Sequence, residues 1–228
     1  MAEVLWRWLL LPAIVILLVW ASYEASKAGL ADLQARQVDP AFVIWRKQKT
    51  VAPDEWQRIH QRLLKAASLQ PANADYQLQL GQLFNYRWMT GARQGSDKRK
   101  DVETALDYYR SAVAKRAIWG YAWAHLLSAK ARLNELDEEF ALALDNAVEF
   151  GPWEPPVQLI VSDAAFRHWV ELSEGQQQKI RANTLRGLKS VTGGQTRRMI
   201  QLIRLHDKYA VVCPSMPTDS LFERICSN

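Results

Sequence analysis

Cysteine and histidine are scarce in this chain, and their spacing excludes most of the chemistry they can carry. The 228 residues hold two cysteines and four histidines. Cys213 and Cys226 lie too far apart for a Cys-x-x-Cys redox or haem-attachment site, and no second pair completes a zinc cluster. His60, His125, His168 and His206 show no His-Glu-x-x-His or other paired-ligand spacing. The glycine motifs are missing too: no Gly-x-Ser-x-Gly elbow, no Gly-x-Gly-x-x-Gly, and no Lys-Ser/Thr after Thr192-Gly193-Gly194 to make a phosphate loop. Asp137, Glu138 and Glu139 are neighbours on a predicted helix and point different ways, which suits a solvated turn better than an acid-base pair. No catalytic residue, metal ligand or cofactor site is assigned, and the chain reads as a non-enzyme.

Glycine and proline, 10 and 9 residues, are not enriched, which argues against a disordered chain. The net charge of +5 is modest. Basic residues alternate with acidic ones, as Lys130 and Arg132 do with Asp137 to Glu139, so a nucleic-acid partner has no support. The one dense basic stretch, Arg93 to Lys100, is flanked by Gly91, Gly95 and Ser96 and reads as a solvated loop. A surface for anionic sugars or lipid headgroups is the alternative.

What the chain does have is a long apolar run at its start. From Val4 to Tyr23 the only charge is Arg7, and at 1.5 Å rise per residue the run approaches the thickness of a bilayer core. Trp6, Trp8, Trp20 and Tyr23 bracket it where amphipathic rings prefer the two interfaces. A transmembrane helix is the expectation. A cleaved signal peptide competes with it, but Glu3 and the lone Arg7 make a poor n-region and no clean Ala-x-Ala site follows Trp20. Pro12 is tolerated in a membrane helix. Flanking charge leaves the orientation open, because Arg7 with the amino terminus balances Lys27 and Arg36. If oxidised, Cys213 and Cys226 close a short loop worth about 3 kcal/mol and point to a periplasmic body; as free thiols they point to a reducing compartment.

Ala66/Pro71, Ala112/Ala117 and Ala147/Pro152 share one internal gap. Their separations fit a period near 34 residues with one insertion of roughly 12, the length of a tetratricopeptide helix pair. Helices are predicted from Pro53 to Leu69, Ala74 to Met89, Asp101 to Arg116, Tyr121 to Leu133, Leu136 to Phe150, Val157 to Leu172, Ser173 to Leu188 and Met199 to Leu205. Leu80-Gly81 and Phe84 occupy signature positions, with Gly81 at a close helix crossing. Asp39-Pro40 is expected to end a stalk helix, and Ala41 to Thr50 to connect it to the body. The expected fold is all-α: residues 1–23 as transmembrane anchor, 24–52 as stalk and connector, 53–190 as tetratricopeptide-like α-α hairpins, and 191–228 as a last helix and tail. The concave face of such an array offers Gln77, Tyr86, Trp123 and Arg132 as partner-binding candidates. Ten tryptophans are unusual; packing between short helices accounts for them, and a glycan groove is the other reading.

The string Tyr108-Tyr-Arg-Ser-Ala-Val, then Tyr121-Ala-Trp-Ala, Lys130-Ala-Arg-Leu, Leu136-Asp-Glu-Glu-Phe and Gly151-Pro-Trp-Glu-Pro with Val157-Gln158, resembles VpsP-type polysaccharide biosynthesis proteins. It is also similar to the tetratricopeptide tails of some O-antigen ligase-like membrane proteins. The resemblance implies an accessory protein of the Gram-negative inner membrane, its soluble part periplasmic. Its expected partners are membrane proteins of exopolysaccharide assembly or export, with the polysaccharide itself as an alternative ligand.

Overall fold

The computed structural model describes residues 2–90, 96–189, 193–215 and 226. Residues 91–95 of the basic stretch, Thr192, Pro217 and the side chains of Trp6 and Trp8 lie outside what it describes. Every regular element among the described residues is helical: α1 (Ala2–Ala35), α2 (Val38–Gln48), α3 (Pro53–Leu69), α4 (Ala74–Met89), α5 (Ser96–Lys115), α6 (Gly120–Leu133), α7 (Glu138–Phe150), α8 (Pro155–Arg167), α9 (Glu174–Leu188), α10 (Gly193–Leu205) and the short α11 (Tyr209–Val212).

Local sequence explains most boundaries. Pro53 starts α3, where its missing N–H costs nothing, and Asp54 and Glu55 favour the positive end of the dipole. Asn73 caps α4 and Asp137 caps α7, each side chain accepting a backbone N–H. Asn134 ends α6 in the left-handed region at φ 60°, a conformation asparagine adopts more readily than most residues. Ser173 and Gln176 form a capping box at α9.

Several expectations are corrected. The basic stretch read as a loop is helical from Ser96, where α5 begins, and α10 begins at Gly193, ahead of the predicted Met199. Asp39-Pro40 does not stop the first helical rod. A turn at Arg36 and Gln37 kinks it, and α2 resumes at Val38 with Pro40 in its first turn, where proline is tolerated. The supposed connector is thus α2, whose Val38, Phe42 and Trp45 are buried. The helix predicted to reach Leu172 ends instead at Arg167 and passes through a short 3-10 turn, Trp169–Glu171.

Side-chain pairs fix the direction of each helix. Tyr76 donates to Asp32 at 2.6 Å, and Phe42 stacks on Tyr86 at 4.7 Å between centroids, so the rod α1-α2 runs parallel to α4. Gln82 meets Tyr121 and His125 while Asn85 meets Arg132, so α4 runs parallel to α6. Gly120 abuts Gly151, and the His168 ring meets the Ala131 carbonyl, which sets α8 parallel to α6. Gln195 donates to Gln158, and His206 contacts Asp163, which sets α10 parallel to α8. The even-numbered helices therefore share one direction, with α3, α5, α7 and α9 returning between them.

A continuous apolar core runs from Val38 to Val212. Where α4 crosses α5, a Cβ on Gly81 would run into the Tyr109 ring, lying 2.7 Å from its Cδ1 and closer still to Cε1, so the close approach expected of this glycine is present. Arg87 makes a two-pronged ion pair with Asp101 and lies 3.9 Å above the Trp56 ring, joining α3, α4 and α5. The acidic run is not a simple solvated turn. Glu135, Asp137 and Glu139 gather on the buried Lys130 ammonium at 2.9, 2.6 and 3.3 Å, while Glu138 stays out of the cluster. Burial works against the Lys130 charge, and hydrogen bonds to the three carboxylates more than offset it, leaving its pKa raised.

α1 is long and apolar enough to cross a membrane, and Leu11 to Tyr23 bury nothing against the body. The same helix continues without a break into the fold, where Ala31 packs fully buried with Ala66 and Tyr76.

Candidate binding groove

The parallel helices α2, α4, α6, α8 and α10 enclose a groove of about 860 Å³. Its walls mix aromatic rings (Phe42, Tyr86, Trp119, Tyr121), amides (Gln79, Gln82, Asn85, Gln195) and two guanidinium groups, Arg46 and Arg198. A second depression of about 410 Å³ shares Leu159, Ile160 and Arg198 with it and adds Arg132, Asp163 and Leu202. Asp39 and Asp75 also line the main groove, and Asp39 accepts a hydrogen bond from Gln79.

Arg46 and Arg198 face the groove and Arg132 the depression, where Asp163 lies close enough for its charge to act on the Arg132 guanidinium. Arg46 donates to the Tyr86 hydroxyl at 3.1 Å. Arg132 donates to Asn85 and lies 4.3 Å above the Trp88 ring, and burial lowers its pKa. Neither these two nor Arg198 forms an ion pair among the described residues. A guanidinium held by a hydroxyl or an amide retains donors for an incoming carboxylate.

Gln82 organises the floor. Its amide nitrogen sits 3.0 Å from the Tyr121 oxygen and 3.0 Å from His125 Nε2, so it donates to both and Nε2 serves as an acceptor on a neutral ring. Burial, with help from the Arg132 charge, pulls the His125 pKa down to about 3. The sign follows: the unfolded ring titrates near 6.5, so the stability of the neutral buried form is complete above that pH and erodes as pH falls towards 3. We expect wild-type protein to lose roughly 1 kcal/mol of unfolding free energy per pH unit between about 6.5 and 4 from this group. In urea titrations His125→Gln should show a shallower acid limb over that range. Equal slopes for the two proteins would rule out a neutral His125.

Of the four candidates from the sequence, Tyr86 lines the main groove and Arg132 the adjoining depression. Gln77 and Trp123 line neither; the Trp123 indole instead donates to the Ala117 carbonyl at 2.6 Å. Sequence reasoning missed Gln79, Gln82, Tyr121 and His125. Their signal was the spacing of three and four on the polar side of α4 and α6, opposite the apolar stripe.

The remaining motif residues build structure. Gln158 donates to the Pro152 carbonyl at 2.8 Å and so fixes the Gly-Pro-Trp-Glu-Pro turn. Trp45, Trp56 and Trp169 are buried, and among the described tryptophans only Trp119 lines the groove. Each histidine has a partner or ring neighbour: His60 lies beside Trp56 and Phe84, His168 beside Ala131, and His206 beside Asp163. Cys213 and Cys226 are disulfide-bonded with Cα atoms 5.8 Å apart. Among the described residues no three His, Cys, Asp or Glu side chains gather as metal ligands.

The fold and groove define an all-helical protein with a long apolar N-terminal helix. No protein-family profile matches the chain, and no curated protein matches it.

Proposed function

We propose that this is a single-pass, membrane-anchored scaffold whose tetratricopeptide-like helix pairs bind a segment of another protein in the groove. The observation that carries the reading is a groove walled by five parallel helices, where Arg46 and Arg198 form no ion pair among the described residues and stand beside aromatic rings and amides, with Arg132 in the adjoining depression. Such a wall fits an extended segment bearing carboxylates, which the guanidinium forks can bind in a two-pronged way. The disulfide supports an oxidising compartment, hence a periplasmic body on the inner membrane. The resemblance to VpsP-type proteins supplies the context: the partner is a polymerase, ligase or export component of an exopolysaccharide system.

A photo-crosslinking residue at Tyr86 or Leu159, in cells that make the polymer, is expected to capture such a membrane component. The same residue at Leu142, which is exposed on α7 outside the groove, is not. Arg46→Glu with Arg198→Glu should abolish the adduct. Capture that is equal at Leu142, or unaffected by charge reversal, would sink the groove assignment. Binding of the polysaccharide itself is the second reading, resting on Trp119, Tyr121 and Tyr86 as stacking platforms; it predicts an adduct with polymer instead of protein.

A further inference from the structure

The end of the body from which α1 emerges carries a second apolar feature, separate from the groove. Because α1-α2 runs parallel to α4, α6 and α8, the turns that precede α4, α6 and α8 all sit at the end where α1 leaves. Tyr76 in the first turn of α4 holds Asp32, and Ala28 one turn earlier in α1 is still half-buried against the body. Tyr23, the last ring of the apolar run, is five residues further, about 7 Å along the helix. That distance is comparable to the headgroup layer on one side of a bilayer.

At this same end, on adjoining turns, lie two of the most exposed large apolar side chains among the described residues. Ile118, before α6, is 75% exposed, and Trp153, before α8, is 77% exposed. Their turns touch, since Gly120 packs on the backbone of Gly151. Around them Lys115, Arg116, Arg186 and Lys189 form no ion pair among the described residues; Arg116 stacks on Trp119, and Arg186 donates to the Pro152 carbonyl below Trp153. Glu149, Glu154 and, in the first turn of α4, Asp75 are the acids at this end, so the four cations still outnumber them. At the far end, by contrast, the turn before α7 carries Glu135, Asp137 and Glu139 on Lys130.

We propose that this end of the body docks on an anionic lipid surface, with Trp153 and Ile118 entering the interface and the four cations meeting headgroup phosphates. The proposal rests on the reading of α1 as a membrane anchor. An indole favours the interfacial layer, and basic residues close to an anionic leaflet are attracted within a Debye length. The anchor holds the turns at the surface, so the second contact needs little affinity of its own. Its consequence is orientation: the groove is held at a fixed height and angle above the bilayer.

The test uses the full chain in nanodiscs of phosphatidylcholine alone or with phosphatidylglycerol, read by amide hydrogen exchange. The turns at residues 116–120 and 151–154 are expected to exchange roughly fivefold more slowly when the anionic lipid is present, while residues 134–137 at the other end do not change. Ile118→Ser with Trp153→Ser, both at exposed positions, should abolish the slowing and leave the core exchange as before. A chain that is not retained in the disc defeats the anchor and the docking together. A retained chain whose two turns exchange equally in both lipids defeats the docking alone.

Discussion

Asp101→Ala is expected to cost about 3 kcal/mol of unfolding free energy, seen as a lower urea midpoint with an unchanged slope. The Asp101 side chain is 2% exposed and that of Arg87 14%, so removing the acid strands a guanidinium between the Trp56 and Phe84 rings. Both prongs of the pair bridge α4 and α5, the most intimate helix contact in the body. The loss comes chiefly from desolvated charge left unpaired, more than from the attraction itself. Two further variants separate those contributions. Asp101→Asn keeps an acceptor and should lose less. Arg87→Met with Asp101→Leu removes both charges and should recover most of the stability. A cost below about 1 kcal/mol for Asp101→Ala would mean that water reaches the pair and the burial argument fails.

The helices were legible where a punctuating residue coincided with an apolar stripe. Pro53 with Trp56, Ile59 and Leu63 marked α3, and Ser173 with Gln176 marked α9. α2 was hidden because Asp39-Pro40 carries a stop signal in any local reading. Whether proline ends a helix or sits in the first turn of the next depends on Val38, Phe42 and Trp45 finding a core to enter, which is a tertiary fact. The acidic run was misread as a solvated turn for a related reason. A lysine on an amphipathic helix is expected in water, and only the return of the chain through Glu135, Asp137 and Glu139 makes a buried site for it.

The groove was half legible. Tyr86 and Arg132 follow from treating the face of α4 and α6 away from the apolar stripe as concave. Gln77 is offset from that face, because Leu78 and Gln82, which line the groove, lie at positions from which Gln77 is rotated away around α4. Trp123, expected on the concave face, instead closes the turn before its own helix through Ala117. Gln158 shows the converse: the most distinctive stretch of sequence, Gly151 to Gln158, proves to be a turn with its own side-chain clamp, and the clamp also holds Gln195 of α10.

Gly120→Ala is expected to destabilise by about 3 kcal/mol, although glycine to alanine within a helix ordinarily helps by up to about 1 kcal/mol. The sign reverses because of what a Cβ would meet. At Gly120 it would lie 2.7 Å from both the Gly151 Cα and the Phe150 carbonyl carbon, atoms of backbone that no rotamer change can move. Accommodation therefore requires the turns before α6 and α8 to separate, and those turns set the spacing of two groove walls and carry Ile118 and Trp153. Gly175, in the first turn of α9, has nothing within 4 Å of its Cβ position and serves as the control. Gly175→Ala should leave stability unchanged or raise it slightly. Thermal unfolding of the two variants against wild type decides the matter: if both shift the midpoint in the same direction, the contact of Gly120 with Gly151 does not set the spacing of these helices.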